Sequence, residues 1–225
     1  MCLSPNIKAI VFDLDGVILD SMPSHVAAWQ EVFAEAGIRV DSRFLYLHEG
    51  NLDWPSLRDT MAPGFQEPAP DFFDRLLSGQ RDIFNRRFAS NVTVFPESES
   101  LLDSIVEAGL DLALVTSSSR QVMNADLIDW LEGYFRVMVT GDSVQRHKPH
   151  PEPYLTALHA LGIHPTQALA VENAPVGIQS AKAAGMTCFA LTTTLAPDDL
   201  IAADRIFPDH GALAEYLFPD FVLQG

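Results

Sequence analysis

Two aspartates two residues apart, Asp13 and Asp15, stand where an apolar run ends in Val11-Phe12-Asp13-Leu14-Asp15-Gly16. A carboxylate can attack phosphorus and carry the phosphoryl group covalently, splitting one hard displacement into two easier ones. A second carboxyl, if protonated, can donate to the leaving oxygen and later take a proton from water. An Asp-x-Asp pair alone carries little weight, because acidic pairs are common in loops. A buried strand before it and a glycine turn after it carry more, since open parallel sheets bind ligands outside their C-terminal strand ends.

Three further clusters come after apolar runs. Thr116-Ser117-Ser118-Ser119 offers hydroxyls and free amides before a helix, suited to phosphate oxygens, although Ser and Thr are also ordinary N-caps. Lys148 lies between His147 and Pro149 in a Pro-rich loop. A loop lysine is commonly a solvated charge, but one fixed near other strand ends can neutralise phosphate. Glu172 and Asn173 are oxygen donors of the kind Mg²⁺ takes alongside water and substrate phosphate.

The elements that must position these groups read as alternating strands and helices. Short apolar runs at 7–12, 110–115, 137–139, 168–171 and 186–191 predict strands buried on both faces. Between them, 98–108, 120–131, 153–161 and 176–184 predict helices. Gly109, Gly133, Gly162 and Gly185 stand where C-caps are expected. Pro151, Pro153 and Pro175 stand near helix starts. The alternation predicts an α/β fold with a parallel, Rossmann-like sheet.

Residues 21–90 break this pattern. Ala27, Ala28, Trp29, Val32, Phe33 and Ala36 predict an amphipathic helix; 57–61 predicts a short one and 72–88 another. We expect a small helical domain at 21–90 inserted into a core made of 1–20 and 91–225. Trp29 reads as a core residue of that insertion.

Composition narrows the function classes. The chain has 225 residues, 48% hydrophobic and 20% charged, so a sizeable core can be buried. The net charge of −16, from 14 basic and 30 acidic side chains, opposes nucleic-acid binding. No apolar run approaches the roughly 20 residues that span a bilayer. The N-terminal segment lacks the layout of a signal peptide, so a cytoplasmic protein without membrane attachment is expected. Cys2 and Cys188 are far apart, which gives no support to zinc or thiol-redox chemistry. Cys188, in an apolar run, reads as buried. A P-loop motif is absent.

The ordered set of Asp-x-Asp, Thr/Ser, Lys and acidic pair resembles the haloacid dehalogenase superfamily, and within it the β-phosphoglucomutase-like phosphatases and phosphomutases. DLDGVILDS, VTSSS, GDSVQRHKPHPEPY and VENAPVGIQSAKAAG carry the resemblance, which covers the whole chain, helical insertion included. It implies that Asp13 is the nucleophile and a metal ligand, and that Asp15 is the general acid–base with its carbonyl on the metal. It implies that Thr116 and the Ser117 amide bind the transferring phosphoryl group, with Ser118 beside them, and that Lys148 balances charge. Glu172 and Asn173 match the acidic pair that completes a Mg²⁺ site. Asn173 departs from the usual Asp there, which implies a weaker metal site but not a lost one.

The insertion stands where the helical cap of this family stands. Ser21-Met22-Pro23-Ser24-His25-Val26-Ala27-Ala28-Trp29 resembles the start of such caps, with His25 placed to meet Asp15 or substrate. The cap loop His48-Glu49-Gly50-Asn51-Leu52-Asp53 carries Asp53 where mutases of the family carry an arginine for a second phosphate. Two carboxylates would repel that phosphate. Hence His48, Glu49 and Asn51 are expected to meet hydroxyls of a sugar, a polyol or a similar group. The expected activity is Mg²⁺-dependent hydrolysis of a small phosphorylated metabolite. A phosphomutase, or an inactive metal- or metabolite-binding relative, is the alternative. We expect a monomer or weak homodimer.

Overall fold

The computed structural model describes residues 5–48, 52, 54–58 and 69–219. Strand β1 (Ala9–Phe12) leads into a turn and the two-residue β2 (Leu19–Asp20). Helices α1 (Met22–Glu35), α2 (Ser42–Leu47), α3 (Trp54–Arg58) and α4 (Phe72–Ile83) follow, then a π-helical stretch at Phe84–Phe88. The chain returns through β3 (Thr93–Val94), which pairs antiparallel with β2. It then alternates α5 (Pro96–Glu107), β4 (Asp111–Val115), α6 (Ala125–Tyr134), β5 (Val137–Val139), α7 (Glu152–Leu161), β6 (Ala168–Glu172), α8 (Pro175–Ala183), β7 (Thr187–Leu191), β8 (Arg205–Phe207) and α9 (His210–Leu217).

Six strands form one parallel sheet in the order β5-β4-β1-β6-β7-β8. Side chains alternate across a strand, and the sequence uses the alternation to make two unlike faces. Ile10, Phe12, Leu112, Leu114, Leu169 and Val171 face α5, α6 and α9. Ala9, Val11, Ala113, Val115, Ala168 and Ala170 face α7 and α8, which bring Tyr154, Leu158 and Ile178 onto these smaller residues. All four residues of β1 are fully buried, as a strand covered on both faces requires. A third apolar cluster, with Val26, Trp29, Phe33, Leu45, Leu57 and Leu76, joins the helices between β2 and β3. Arg43 of α2 bonds Asp199 of the sheet-bearing part at 2.6 Å.

Register sets the site. Phe12 pairs with Leu114 and Val171, and the Asp13 amide donates to the Val171 carbonyl at 3.0 Å. The residues just past β1, β4 and β6 therefore emerge at one edge.

Every strand expected from the sequence is present, and β2, β3 and β8 are additional. β8 was not expected because Arg205-Ile206-Phe207 is short and opens on a charge. Two helical expectations need correction. α6 begins at Ala125, because the Asn124 side chain accepts from the Leu127 amide and caps it there; Arg120–Val122 is a separate 3₁₀ turn. Gly133 lies inside α6 rather than beyond its end. Gly109, Gly162 and Gly185 do follow α5, α7 and α8. The short helix expected at 57–61 is seen as α3, and 59–61 lie outside the described residues. α2 and α9 were not expected. No helix among the described residues is long and apolar enough to cross a membrane.

Candidate active site

Lys148 is the hub of the site. It is 4% exposed, and its Nζ donates to Asp13 Oδ1 at 2.6 Å, Glu172 Oε1 at 2.6 Å and the Val115 carbonyl at 3.0 Å. Its three donors are thus spent on three neighbouring strand ends. Burial works against the Lys148 charge, but Asp13 and Glu172 outweigh it and hold the ammonium well above its usual range. Asp13 feels the opposite pressure. Burial pushes its carboxyl well up, Lys148 pulls it down, and the charges of Glu172 and Asp15 push it up again.

Glu172 spends both oxygens on the protein. Oε1 also accepts from the Tyr154 hydroxyl at 2.5 Å, and Oε2 from the Asn173 amide at 3.3 Å. Burial, then the Glu172 and Asp13 charges, push the Tyr154 phenol well up, so Tyr154 stays a donor. The first turn of α8 presses on this carboxylate: a Cβ built on Gly177 would lie 2.0 Å from Glu172 Oε1.

Asp15 sits in a different shell. Its Oδ1 accepts from Ser21 Oγ at 2.7 Å and lies 3.4 Å from His25 Nε2. Its Oδ2 accepts from Ser118 Oγ at 2.7 Å and Thr116 Oγ1 at 3.3 Å. Burial would raise this carboxyl, but His25, by hydrogen bond and charge, and the Ser21 and Ser118 hydroxyls hold it well below the usual carboxylate range. Asp15 is therefore ionised in this arrangement, whereas the chemistry expected from sequence requires a protonated group for the first proton transfer.

Gly16 makes the turn that separates the two shells possible. Its φ of 81° lies in the left-handed region, and a Cβ there would sit 2.1 Å from Asn173 Nδ2. Asn173 is itself held by Thr194, whose Oγ1 accepts from Asn173 Nδ2 at 3.0 Å and donates to the Asn173 carbonyl at 3.4 Å. With the hydroxyl proton given to that carbonyl, the amide must present its NH₂ to Thr194 and keep its oxygen for another partner.

Asp13, Asp15, Thr116, Ser117, Lys148, Glu172 and Asn173 line one small void of about 20 Å³. That is room for an occupant the size of one water or one ion. Oxygen donors from Asp13 and Asn173 suit a hard cation such as Mg²⁺. No group of three or more His, Cys, Asp or Glu among the described residues is arranged for a metal. A cation here would instead draw on carboxylate, amide and backbone oxygens together.

A second, larger cavity of about 350 Å³ lies on the other side of Asp15, between α6, the Ser118 loop, His25 and Phe84. The His25 ring stacks on Phe84 at 4.2 Å between centroids and 7° between planes.

Strand-end carboxylates around a buried lysine, under an inserted set of helices, agree with the family whose sequence model this chain matches. A model described as haloacid dehalogenase-like hydrolase matches residues 10–191. The chain belongs to the haloacid dehalogenase-like hydrolases. Two curated relatives are phosphatases. The validoxylamine A 7′-phosphate phosphatase of Streptomyces hygroscopicus subsp. limoneus is 33% identical over 90% of this chain and 93% of its own length. Hexitol phosphatase A of Escherichia coli (strain K12) is 33% identical over 79% of this chain and 80% of its own. The solved β-phosphoglucomutase of Clostridium difficile shares the fold, with a TM-score of 0.74 at 24% identity, covering 92% of this chain and 93% of that one.

In this haloacid dehalogenase-like chain the residues named from sequence gather unevenly. Those on strand ends converge, and His25 and Ser118 meet Asp15. His48 does not join them: its Nδ1 lies 2.9 Å from the Phe44 carbonyl and its ring stacks on Phe44, so it closes α2. Glu49 and Asn51 lie outside the described residues. Cys188 is buried as expected. Sequence reasoning missed Tyr154, Gly177, Ser21 and Thr194 as site residues. Tyr154 and Gly177 stood inside the quoted motifs, where their types read as packing and helix start.

Proposed function

We propose that this chain is a cytoplasmic, Mg²⁺-dependent phosphatase that hydrolyses a small phosphomonoester through an aspartyl-phosphate on Asp13. The observation that carries this is the placement of Asp13 on Lys148 at 2.6 Å, with Asp15 beside it on a separate set of partners. One carboxylate is set for attack and the other for proton transfer. The phosphatase names of the two curated relatives support the same reading.

Asp13, the Asp15 carbonyl and Asn173 would hold the cation, with Glu172 behind them. When bound, it supplies positive charge that offsets the carboxylate and phosphoryl oxygens. Thr116 and the Ser117 amide hold phosphoryl oxygens. An Asp13 oxygen attacks phosphorus, the bond from phosphorus to the ester oxygen breaks, and the leaving oxygen takes a proton from Asp15. Asp15 must first shed its bonds to His25, Ser21 and Ser118 and take up that proton. In the second half, Asp15 removes a proton from water, the hydroxide attacks phosphorus, and the bond to Asp13 breaks, releasing orthophosphate. The helices of 21–90 act as the cap that excludes bulk water.

Hydrolysis is favoured over a mutase by the larger cavity. Its described lining residues include no Lys or Arg for a second phosphate, and the chain carries neither residue at 1–4, 49–51, 53, 59–68 or 220–225. The test is orthophosphate release from a phosphomonoester panel with Mg²⁺ and with excess chelator. Full activity in chelator defeats the metal assignment. Isomerisation of a sugar phosphate faster than phosphate release defeats the hydrolase reading.

A further inference from the structure

We propose that the larger cavity receives the leaving group of the substrate, and that this group is an uncharged alcohol with an apolar, ring-bearing face. The inference rests on the phosphatase reading and deepens it to a substrate class.

Asp15 is the wall shared by the two spaces. The phosphoryl group must lie on the Asp13 side, and the ester oxygen must come within reach of Asp15. Whatever is bonded to that oxygen then continues into the larger cavity. Its size, about 350 Å³, falls in the range of small-molecule sites, roughly 300–1,000 Å³.

The chemistry of the walls selects the class. Phe84, Val92, Val94, Met123, Leu127 and Trp130 line the cavity, and all six are only half-buried. They keep apolar surface in contact with solvent that a ligand would cover. Phe84 reaches the wall from the π-helical stretch, a local feature frequent at functional sites, and is fixed there by the His25 ring. Trp130 and Phe84 offer ring surfaces to a cyclic group.

Charge excludes the competing class. The ionisable side chains on the described lining are Asp15, His25 and Asp126. The nearby Arg120 is ion-paired to Glu132. An ester with a carboxylate or second phosphate at its far end would be desolvated beside Asp15 and Asp126, and His25, the one basic group on the described lining, is already engaged with Asp15. Ser21 and Ser118 are committed to Asp15, and Asn124 to the Leu127 amide. A fully hydroxylated chain would therefore find few free partners.

The test compares cyclohexylmethyl phosphate with 2-phosphoglycolate, two alkyl esters that differ at the far end. In the Asp13→Asn protein with Mg²⁺, calorimetry should give binding of cyclohexylmethyl phosphate tighter by about tenfold or more. Equal or tighter binding of phosphoglycolate overturns the inference. Met123→Lys should bring the ratio toward one or invert it; an unchanged ratio in a variant that melts cooperatively also overturns it. Native protein that releases phosphate from no ester defeats the phosphatase reading, while the binding ratio still decides what the cavity accepts.

Discussion

The void beside Asp13 and the cavity beside Trp130 share one side chain, Asp15, and little else. The first is about 20 Å³ and is walled by charged and hydrogen-bonded groups at strand ends. The second is about 350 Å³ and is walled mostly by apolar groups, six of them half-buried, from a helix, two short strands, a π-helical stretch and the loops between them. The small space is over-determined: Lys148, Glu172, Tyr154, Asn173 and Thr194 each fix another member. The large one is held mostly by packing, and among its described lining Ser21, His25 and Ser118 link it to the polar network through Asp15. One space can keep the same chemistry while the other accepts different leaving groups, which fits a fold that separates scaffold from binding loops.

The sharpest way to break this comparison is to remove the nucleophile. Asp13→Asn should lower turnover by roughly 10³-fold or more while the protein still binds esters. Retained turnover would move the chemistry away from the small void altogether. Next in size is Lys148→Met. It removes the charge that meets both Asp13 and Glu172, and loss of about 10²–10³-fold in kcat is expected from the weight of one preorganised charge-stabilising donor. Two buried carboxylates left without a cation should also destabilise the fold by about 3–5 kcal/mol. The double variant Asp13→Asn, Lys148→Met should melt higher than Lys148→Met alone, because one of the two stranded charges is gone. Equal melting temperatures would show that the lysine is not the structural hub.

The small space was largely legible in the sequence because its members stand at the ends of buried apolar runs, and parallel strands in register gather their C-terminal residues at one edge. Asp13, Thr116 and Glu172 stand where that rule puts them, Lys148 lies in a loop well beyond β5, and the role of each came from the family resemblance. Tyr154 did not show itself, since a tyrosine on an apolar helix face reads as packing, and its hydroxyl meets a carboxylate 18 residues on. Thr194 lies in a run of threonines that reads as an ordinary turn. Of the large cavity, Asp15, His25 and Ser118 were named from sequence, but its apolar walls were not legible. Half-buried apolar residues carry no period of their own, and the π-helical stretch that presents Phe84 breaks the helical spacing from which a face would be read. His48 misled for a related reason: a polar ring in a candidate cap loop looks free until α2 is seen to end on it.

A smaller effect sharpens the comparison from the α8 side. Gly177→Ala would place a methyl group 2.0 Å from Glu172 Oε1, inside any allowed contact. Either α8 shifts or Glu172 leaves Lys148 and Tyr154. We expect a loss of about 1–3 kcal/mol in stability, the usual cost of overpacking, read by thermal or denaturant melting. An unchanged melt would mean that the small void is less tightly determined than its distances indicate.

The smallest expected effect falls on Asn173, the residue where the chain departs from an acidic pair. A neutral amide can serve a cation only if its oxygen faces the void, and Thr194 sets that orientation through its own hydroxyl. Thr194→Val keeps the shape and removes the hydroxyl, so the amide loses one hydrogen bond and the preference between its two orientations. A hydrogen bond of this kind is worth about 1 kcal/mol, so affinity for Mg²⁺ should fall roughly fivefold, with little change for the metal-free protein. Calorimetric Mg²⁺ titration, or Mn²⁺ binding followed by electron paramagnetic resonance, reads this without turnover. Thr194→Ser restores the hydroxyl and should restore affinity. If Val and Ser variants bind metal alike, Thr194 does not orient Asn173, and the small space has one fixed member fewer.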